Sequence, residues 1–174
     1  MTIVKIEVGY LKENCYILST KNNVLIVDPG DEAEKIINLV GDKKVLAILV
    51  THYHFDHVGA LEQIKNTYNA PVIDYKCDKN QKIGPFDFEI IETKGHKNDS
   101  VTYYFKKDGI MFVGDFIFKG TIGRCDLLGG DFNEMLISLD KIKKYDDSII
   151  LYPGHGEKTT LKEELINNKY LKGD

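Results

Sequence analysis

Cysteine is scarce in this sequence. The three that occur, Cys15, Cys77 and Cys125, are widely spaced and odd in number. A disulfide framework is not expected, nor is a thiolate zinc knuckle. Long apolar runs are also missing. None approaches the ~20 residues that span a bilayer, so no membrane partner is expected. The opening MTIVKIEVGYLKENCY has no basic end, continuous apolar stretch or small-residue cleavage site. It does not read as a signal peptide, which points to the cytoplasm. Basic excess is absent too. A net charge of −4 gives no reason to expect nucleic acid as a partner. No Pro-rich, Ser-rich or single-sign charge block marks a linker. The 174 residues, 43% of them hydrophobic, suit one domain over 1–174 with a full core. No oligomeric state is read from these features.

What is present is an order of strands with helices between them. Strands are expected at 2–8, 14–19, 24–28, 71–74, 86–92, 100–105, 110–113 and 148–151. Residues 14–19 and 24–28 form a hairpin around Lys21-Asn22-Asn23, and Asp108-Gly109 is the turn of another. The continuous apolar run 45–50 (VLAILV) predicts a strand buried on both faces. Helices are expected at 32–40, started by an Asp31/Glu34 capping box and ended by Gly41, and at 58–68. A third starts at Asp131/Glu134, with Met135, Leu139 and Ile142 at helical spacing. A last one starts at Thr160/Glu163 and runs to about residue 170. Amphipathic helices in both halves must cover the outer faces of the sheets. The fold class is α/β, and a four-layer αββα sandwich fits.

Five histidines occur in the chain, and three lie in one block, Thr51-His52-Tyr53-His54-Phe55-Asp56-His57-Val58-Gly59. His52 and His54 are two apart. In extended chain at the end of the 45–50 strand, both point to one side. Asp56 and His57 follow at the turn before a helix. Packing gains nothing from gathering three histidines and an aspartate, whereas imidazole and carboxylate together suit a divalent transition metal. His96 follows Gly95, Asp115 follows Gly114 and His155 follows Gly154, each after an expected strand. Glycine permits the positive φ or the close approach that a buried ion needs. If these strand ends share an edge, seven ligands converge, enough for two ions with room for water.

These blocks, in this order, resemble the metallo-β-lactamase-fold hydrolases. Among them the chain is similar to the small relatives of glyoxalase II (hydroxyacylglutathione hydrolase). The resemblance rests on Val27-Asp28-Pro29-Gly30, the THYHFDHVG block, Gly95-His96 and Val113-Gly114-Asp115. It continues through Gly123-Arg124-Cys125-Asp126-Leu127-Leu128-Gly129-Gly130-Asp131 and Tyr152-Pro153-Gly154-His155-Gly156. It implies the αββα sandwich. It also implies one ion on His52, His54 and His96, another on Asp56, His57 and His155, and Asp115 between them. Asp28 is either a support to these ligands or a plain turn aspartate, and Thr51 is read as the end of its strand. The ions are expected to be zinc, with iron or manganese accepted by the same ligands.

Two ions sharing a water lower its pKa toward neutrality and yield a hydroxide nucleophile. Asp56 is expected to hold or accept the proton. The family mapping leaves no histidine as general acid. A thiolate, from a thiol of pKa about 8.5, leaves without one. This favours a thioester, of the S-acylglutathione kind and anionic. Glyoxalase II enzymes carry a C-terminal helical domain that helps hold glutathione, whereas 19 residues follow His155 here. Lys119 and Arg124 would meet the anion, or Arg124 braces the loop through Asp126. Cys125 is a packed thiol or one exposed enough to oxidise. Rival readings are a mononuclear iron persulfide dioxygenase, a β-lactamase, a phosphodiesterase or RNase, and a metal-stabilised binding protein without turnover.

Overall fold

The computed structural model describes residues 1–172. A first sheet has the order β1 (Thr2–Val8), β2 (Glu13–Thr20), β3 (Asn23–Val27), β4 (Lys44–Leu49), β5 (Val72–Ile73). Its first three strands are antiparallel, and β3, β4 and β5 run parallel. The second sheet contains β6 (Asn80–Ile83), β7 (Phe86–Glu92), β8 (Val101–Phe105), β9 (Ile110–Gly114), β12 (Ile150–Pro153) and β13 (Thr159–Thr160). Its spatial order is β13-β12-β9-β8-β7-β6, with β9 and β12 parallel. A small hairpin, β10 (Ile117–Phe118) with β11 (Thr121–Ile122), stands apart from both sheets.

Alternation along β2 shows how the layers form. Tyr16 and Leu18 enter the core between the sheets, where they meet Phe88, Tyr103 and Phe112. Cys15 and Ile17 face the other way. There they pack with helices α1 (Ala33–Val40) and α3 (Leu61–Tyr68) through Ile36, Val40 and Ile64. On the far side of the second sheet, Met111, Val113 and Leu151 pack with α4 (Phe132–Ile142) and α5 (Leu161–Asn167) through Met135, Leu139 and Leu161. Three apolar layers separate four layers of structure, as a period of two in strands and 3.6 in helices demands. This is the αββα sandwich. No helix among the described residues is long and apolar enough to cross a membrane.

Several expected boundaries shift. The helix expected at 58–68 is two pieces, α2 (Phe55–Val58) and α3, broken at Gly59-Ala60. The Asp31/Glu34 capping box does not form. Asp31 Oδ1 accepts from Glu32 N at 2.6 Å, and Glu32 is an N-cap without a side-chain bond. Asp108-Gly109 is not a two-residue turn. A 3₁₀ turn spans Lys106–Asp108, Gly109 adopts φ 64°, and Phe105 pairs with Ile110. The strand expected at 148–151 is β12, two residues later, with the short β13 beyond it, and α5 stops at Asn167. The Asp131 cap forms as read, Oδ1 accepting from Asn133 N at 2.8 Å and Glu134 N at 3.1 Å. The Thr160 cap also forms, accepting from Glu163 N at 3.1 Å.

Candidate metal centre

The chain leaves β4, β7, β9 and β12 at one edge of the sandwich, and each exit carries part of the site. Beyond β4, Thr51 O accepts from Val101 N at 2.9 Å, which ties that exit to the second sheet. His54 is extended (φ −77°, ψ 149°) and starts α2, the single turn that carries Asp56 and His57. Ala60 N donates to Pro29 O at 3.0 Å and seats this turn on Asp28-Pro29-Gly30. Beyond β12, Asn14 holds the loop of His155: its N donates to Gly154 O at 2.7 Å, and its Nδ2 reaches Pro153 O at 3.0 Å. The glycines serve in the two ways expected. Gly114 has φ 52°, whereas Gly154 allows close approach, since a Cβ there would overlap Asp115 Oδ1 and lie 2.5 Å from His57 Cε1.

All seven expected side chains meet at this edge. His54 Nδ1 lies 3.1 Å from His52 Nε2 and 2.9 Å from His96 Nε2. His155 Nε2 lies 3.2 Å from Asp56 Oδ2, and His57 Nε2 lies 4.0 Å from the same oxygen. Asp115 stands between the two sets. Its Oδ1 is 3.3 Å from His57 Nε2, and its Oδ2 is 3.5 Å from His96 Nε2 and 3.7 Å from His155 Nε2. His52–His54–His96, Asp56–His57–His155 and His52–His57–Asp115 each gather donor atoms within 4.8 Å of one another.

These donors fit cations. His57 Nε2 and Asp115 Oδ1 are buried and have no hydrogen-bond partner, close as they are. Such orphaned atoms are costly unless a positive ion satisfies them. The rings are also oriented from behind. His57 Nδ1 lies 2.9 Å from Asp28 Oδ2, His96 Nδ1 2.7 Å from Arg124 O, and His155 Nδ1 3.2 Å from Leu11 O. His52 Nδ1 lies 3.1 Å from Thr51 Oγ1, which itself donates to Asp28 Oδ2 at 2.6 Å. With those nitrogens donating, His52, His57, His96 and His155 each point a bare Nε2 into the site. Thr51 is thus more than the end of a strand, and Asp28 is more than a turn residue.

Charge favours the ligand forms in most places. Burial, with His57 and His96 nearby, pushes the His52 ring well below its usual pKa, and burial lowers His54. Both are neutral and free to ligate. Burial alone would raise Asp115 and Asp56, but His57 and His155 respectively outweigh it and hold both carboxyls below their ordinary values. For His57 burial works downward, yet the carboxylates of Asp115 and Asp28 prevail and raise it well above normal. His155 is raised in the same way by Asp56. Each ring therefore keeps its proton to a higher pH than a free imidazole, and must give it up to receive an ion.

The remaining expected residues divide differently. Arg124 does reach Asp126, Nε to Oδ1 and Nη2 to Oδ2 both at 2.7 Å. Lys119 lies 3.0 Å from Glu157. Both cations already have carboxylate partners, which supports the bracing reading of Arg124. Cys125 is half-buried, its Sγ lies 3.5 Å from Gly123 O, and burial raises its pKa, so it is a packed thiol. One buried acid was not foreseen. Glu13 is fully buried, 3.8 Å from His57 Nδ1, and neither of its oxygens has a partner. Nothing in a strand-opening Glu-Asn distinguishes it from a surface residue.

The sequence matches the Metallo-beta-lactamase superfamily over residues 8–76 and 79–155. It is 32% identical to the "Probable metallo-hydrolase YqgX" of Bacillus subtilis, covering 97% of each chain. It is 31% identical to the "Hydroxyacylglutathione hydrolase GloC" of Haemophilus influenzae, covering 98% of each. Among solved structures, BLEG-1 B3 metallo-beta-lactamase superposes with a TM-score of 0.94 at 32% identity, over 99% of this chain and 100% of that one. TTHA1623 in a di-iron-bound form gives 0.88 at 29% identity, over 97% and 100%.

Proposed function

Since the chain belongs to the metallo-beta-lactamase superfamily, we propose that this metal-dependent hydrolase cleaves a thioester with two divalent cations. His52, His54 and His96 would hold one, Asp56, His57 and His155 the other, and Asp115 would face both. Zinc is the first candidate, while the di-iron form of TTHA1623 keeps iron open. Bound there, such ions supply a water of lowered pKa and polarise a carbonyl oxygen.

The observation that carries the thioester reading is the missing acid. The cavity over the site is lined at its floor by His54, Asp56, His96, Asp115 and His155. Among the described lining residues there is no Lys, Tyr or Cys, and the remaining polar ones are Thr121 and Arg124. Neither of those donates a proton readily to a leaving group. A departing amine or alkoxide would have to draw its proton from Asp56 after that carboxylate has taken it from water, whereas a thiolate leaves without one. In the reaction, a C–O bond forms to water, the C–S bond breaks with its electron pair leaving on sulfur, and Asp56 takes the proton at a carboxylate oxygen. The described relative GloC is named for a thioester of glutathione, which supports the same chemistry. That likeness is the support for an anionic, S-acylglutathione-like substrate, because Arg124 and Lys119 are already paired.

The likeness to BLEG-1 makes lactam hydrolysis the second reading. Turnover of a thioester panel and a chromogenic β-lactam, with metal and O₂ uptake measured on the same sample, separates the cases. We expect about two ions per chain, thioester turnover and no O₂ uptake. One iron with O₂ consumption would establish the persulfide dioxygenase instead, and lactam turnover alone would establish the lactamase. Asp115→Ala should remove at least one ion and most of the hydrolysis.

A further inference from the structure

The cavity over the metal centre, about 650 Å³, has a polar floor and apolar walls. Leu11 comes from the β1–β2 loop, Phe55 from α2, Phe118 and Ile122 from the β10–β11 hairpin, and Leu127 from the loop beyond. Leu11, Leu127 and Phe55 expose 42%, 41% and 63% of their surface. Phe55 stacks on Tyr10, 6.4 Å between ring centres, and Tyr10 is itself 80% exposed. The apolar surface therefore continues outward from the site. Contiguous exposed apolar surface of this kind marks a place that something apolar covers. At the exposed rim Arg124 pairs with Asp126, and outside the cavity Lys119 pairs with Glu157.

We infer that the pocket selects thioesters with an uncharged, apolar arm of several carbons beside the scissile bond. The inference rests on the thioester reading above and narrows it. The apolar arm belongs either to the acyl group or to the thiol, and both present the same methylenes to Phe118 and Ile122. Each methylene buried there strengthens binding about fourfold (~0.8 kcal/mol).

The test uses the metal-loaded protein and two series of substrates. One lengthens the acyl group from acetyl to hexanoyl on a small neutral thiol. The other keeps the acetyl group and lengthens an alkyl thiol. We expect kcat/KM to rise at least about tenfold along one series, which identifies the arm. Phe118→Ala should lower the long-to-short ratio at least about fivefold. Turnover of acetyl thioesters with flat profiles in both series would overturn the inference. If no thioester is cleaved, the thioester reading fails on its own, and calorimetry with S-hexyl and S-methyl thioethers judges the apolar arm separately. Hexyl binding at least about tenfold tighter, and weakened by Phe118→Ala, supports it. Equal affinities reject it. A dimer in solution that Phe118→Ala dissociates would assign the apolar surface to a second copy of this chain and also reject it.

Discussion

Asp28 Oδ2 lies 2.9 Å from His57 Nδ1, across 29 positions of sequence. The same oxygen accepts from Thr51 Oγ1 at 2.6 Å, and that hydroxyl faces His52 Nδ1 at 3.1 Å. One carboxylate therefore orients a histidine in each of the two metal-binding groups. Loss of such a support costs about 10–100-fold in metal affinity. Asp28→Asn should weaken both ions, whereas Thr51→Val should weaken mainly the ion at His52, His54 and His96. Competition with a chromogenic chelator resolves the two steps. Equal weakening of both by Thr51→Val would argue against separate chains of support.

Metal uptake should expel protons. Burial lowers His57 but Asp115 and Asp28 raise it further, and Asp56 does the same for His155. A raised imidazole pKa means that the ring keeps its proton to a higher pH than a free imidazole does, so over that range a cation must displace it. Affinity should fall as pH falls, most steeply for the ion at Asp56, His57 and His155. Calorimetry in buffers of different ionisation enthalpy should show about one proton or more released per chain at neutral pH. Release that does not change with pH would contradict protonated rings at these positions.

The sequence made this site readable because its ligands sit where periodicity is strongest. His52 and His54 extend a buried strand in step of two, and His96, Asp115 and His155 each follow a glycine at a strand end. The bounds of β7 and the Asp131 cap were equally plain. Edge strand β6 was not, because Asn80–Ile83 pairs on one side only and carries mostly polar residues. Asp31 could cap α1 by pattern, yet its carboxylate is used by the next residue's N–H. The choice for Arg124 between substrate and Asp126 needed distances. The roles of Thr51 and Asp28 likewise depend on which ring nitrogen each oxygen meets, and spacing carries no such information.

Close packing behind the metal centre makes Gly154 critical. A Cβ there would overlap Asp115 Oδ1 and press on the His57 ring, 2.5 Å from Cε1. Neither group can retreat easily, because His57 is fully buried and bonded to Asp28. Overpacking of this kind costs about 1–3 kcal/mol. Gly154→Ala should lower the Tm of metal-free protein by several degrees, and metal content by at least one ion per chain. Gly156→Ala is the comparison. Nothing lies within 4 Å of its added Cβ, but its φ of 77° strains an alanine. It should therefore lose stability while retaining both ions.

Glu13 should set a pH dependence of stability in the metal-free protein. Burial raises its pKa well above normal; His57 pulls it down, and Asp28, Asp115 and Asp56 push it up again. Between the ordinary and the raised value, the folded chain holds a proton that the unfolded chain has released. Stability then falls as pH rises through that window and levels off beyond it. Glu13→Gln keeps the shape and removes the titration. The variant should match the parent at acid pH and exceed it toward neutrality. Urea midpoints of both proteins from about pH 4 to 8 would show this, and parallel profiles would disprove it. With cations bound, their positive charge lies beside His57 and favours the ionised Glu13. The gap between the two proteins should therefore narrow when metal is restored, which ties the buried acid to the centre it adjoins.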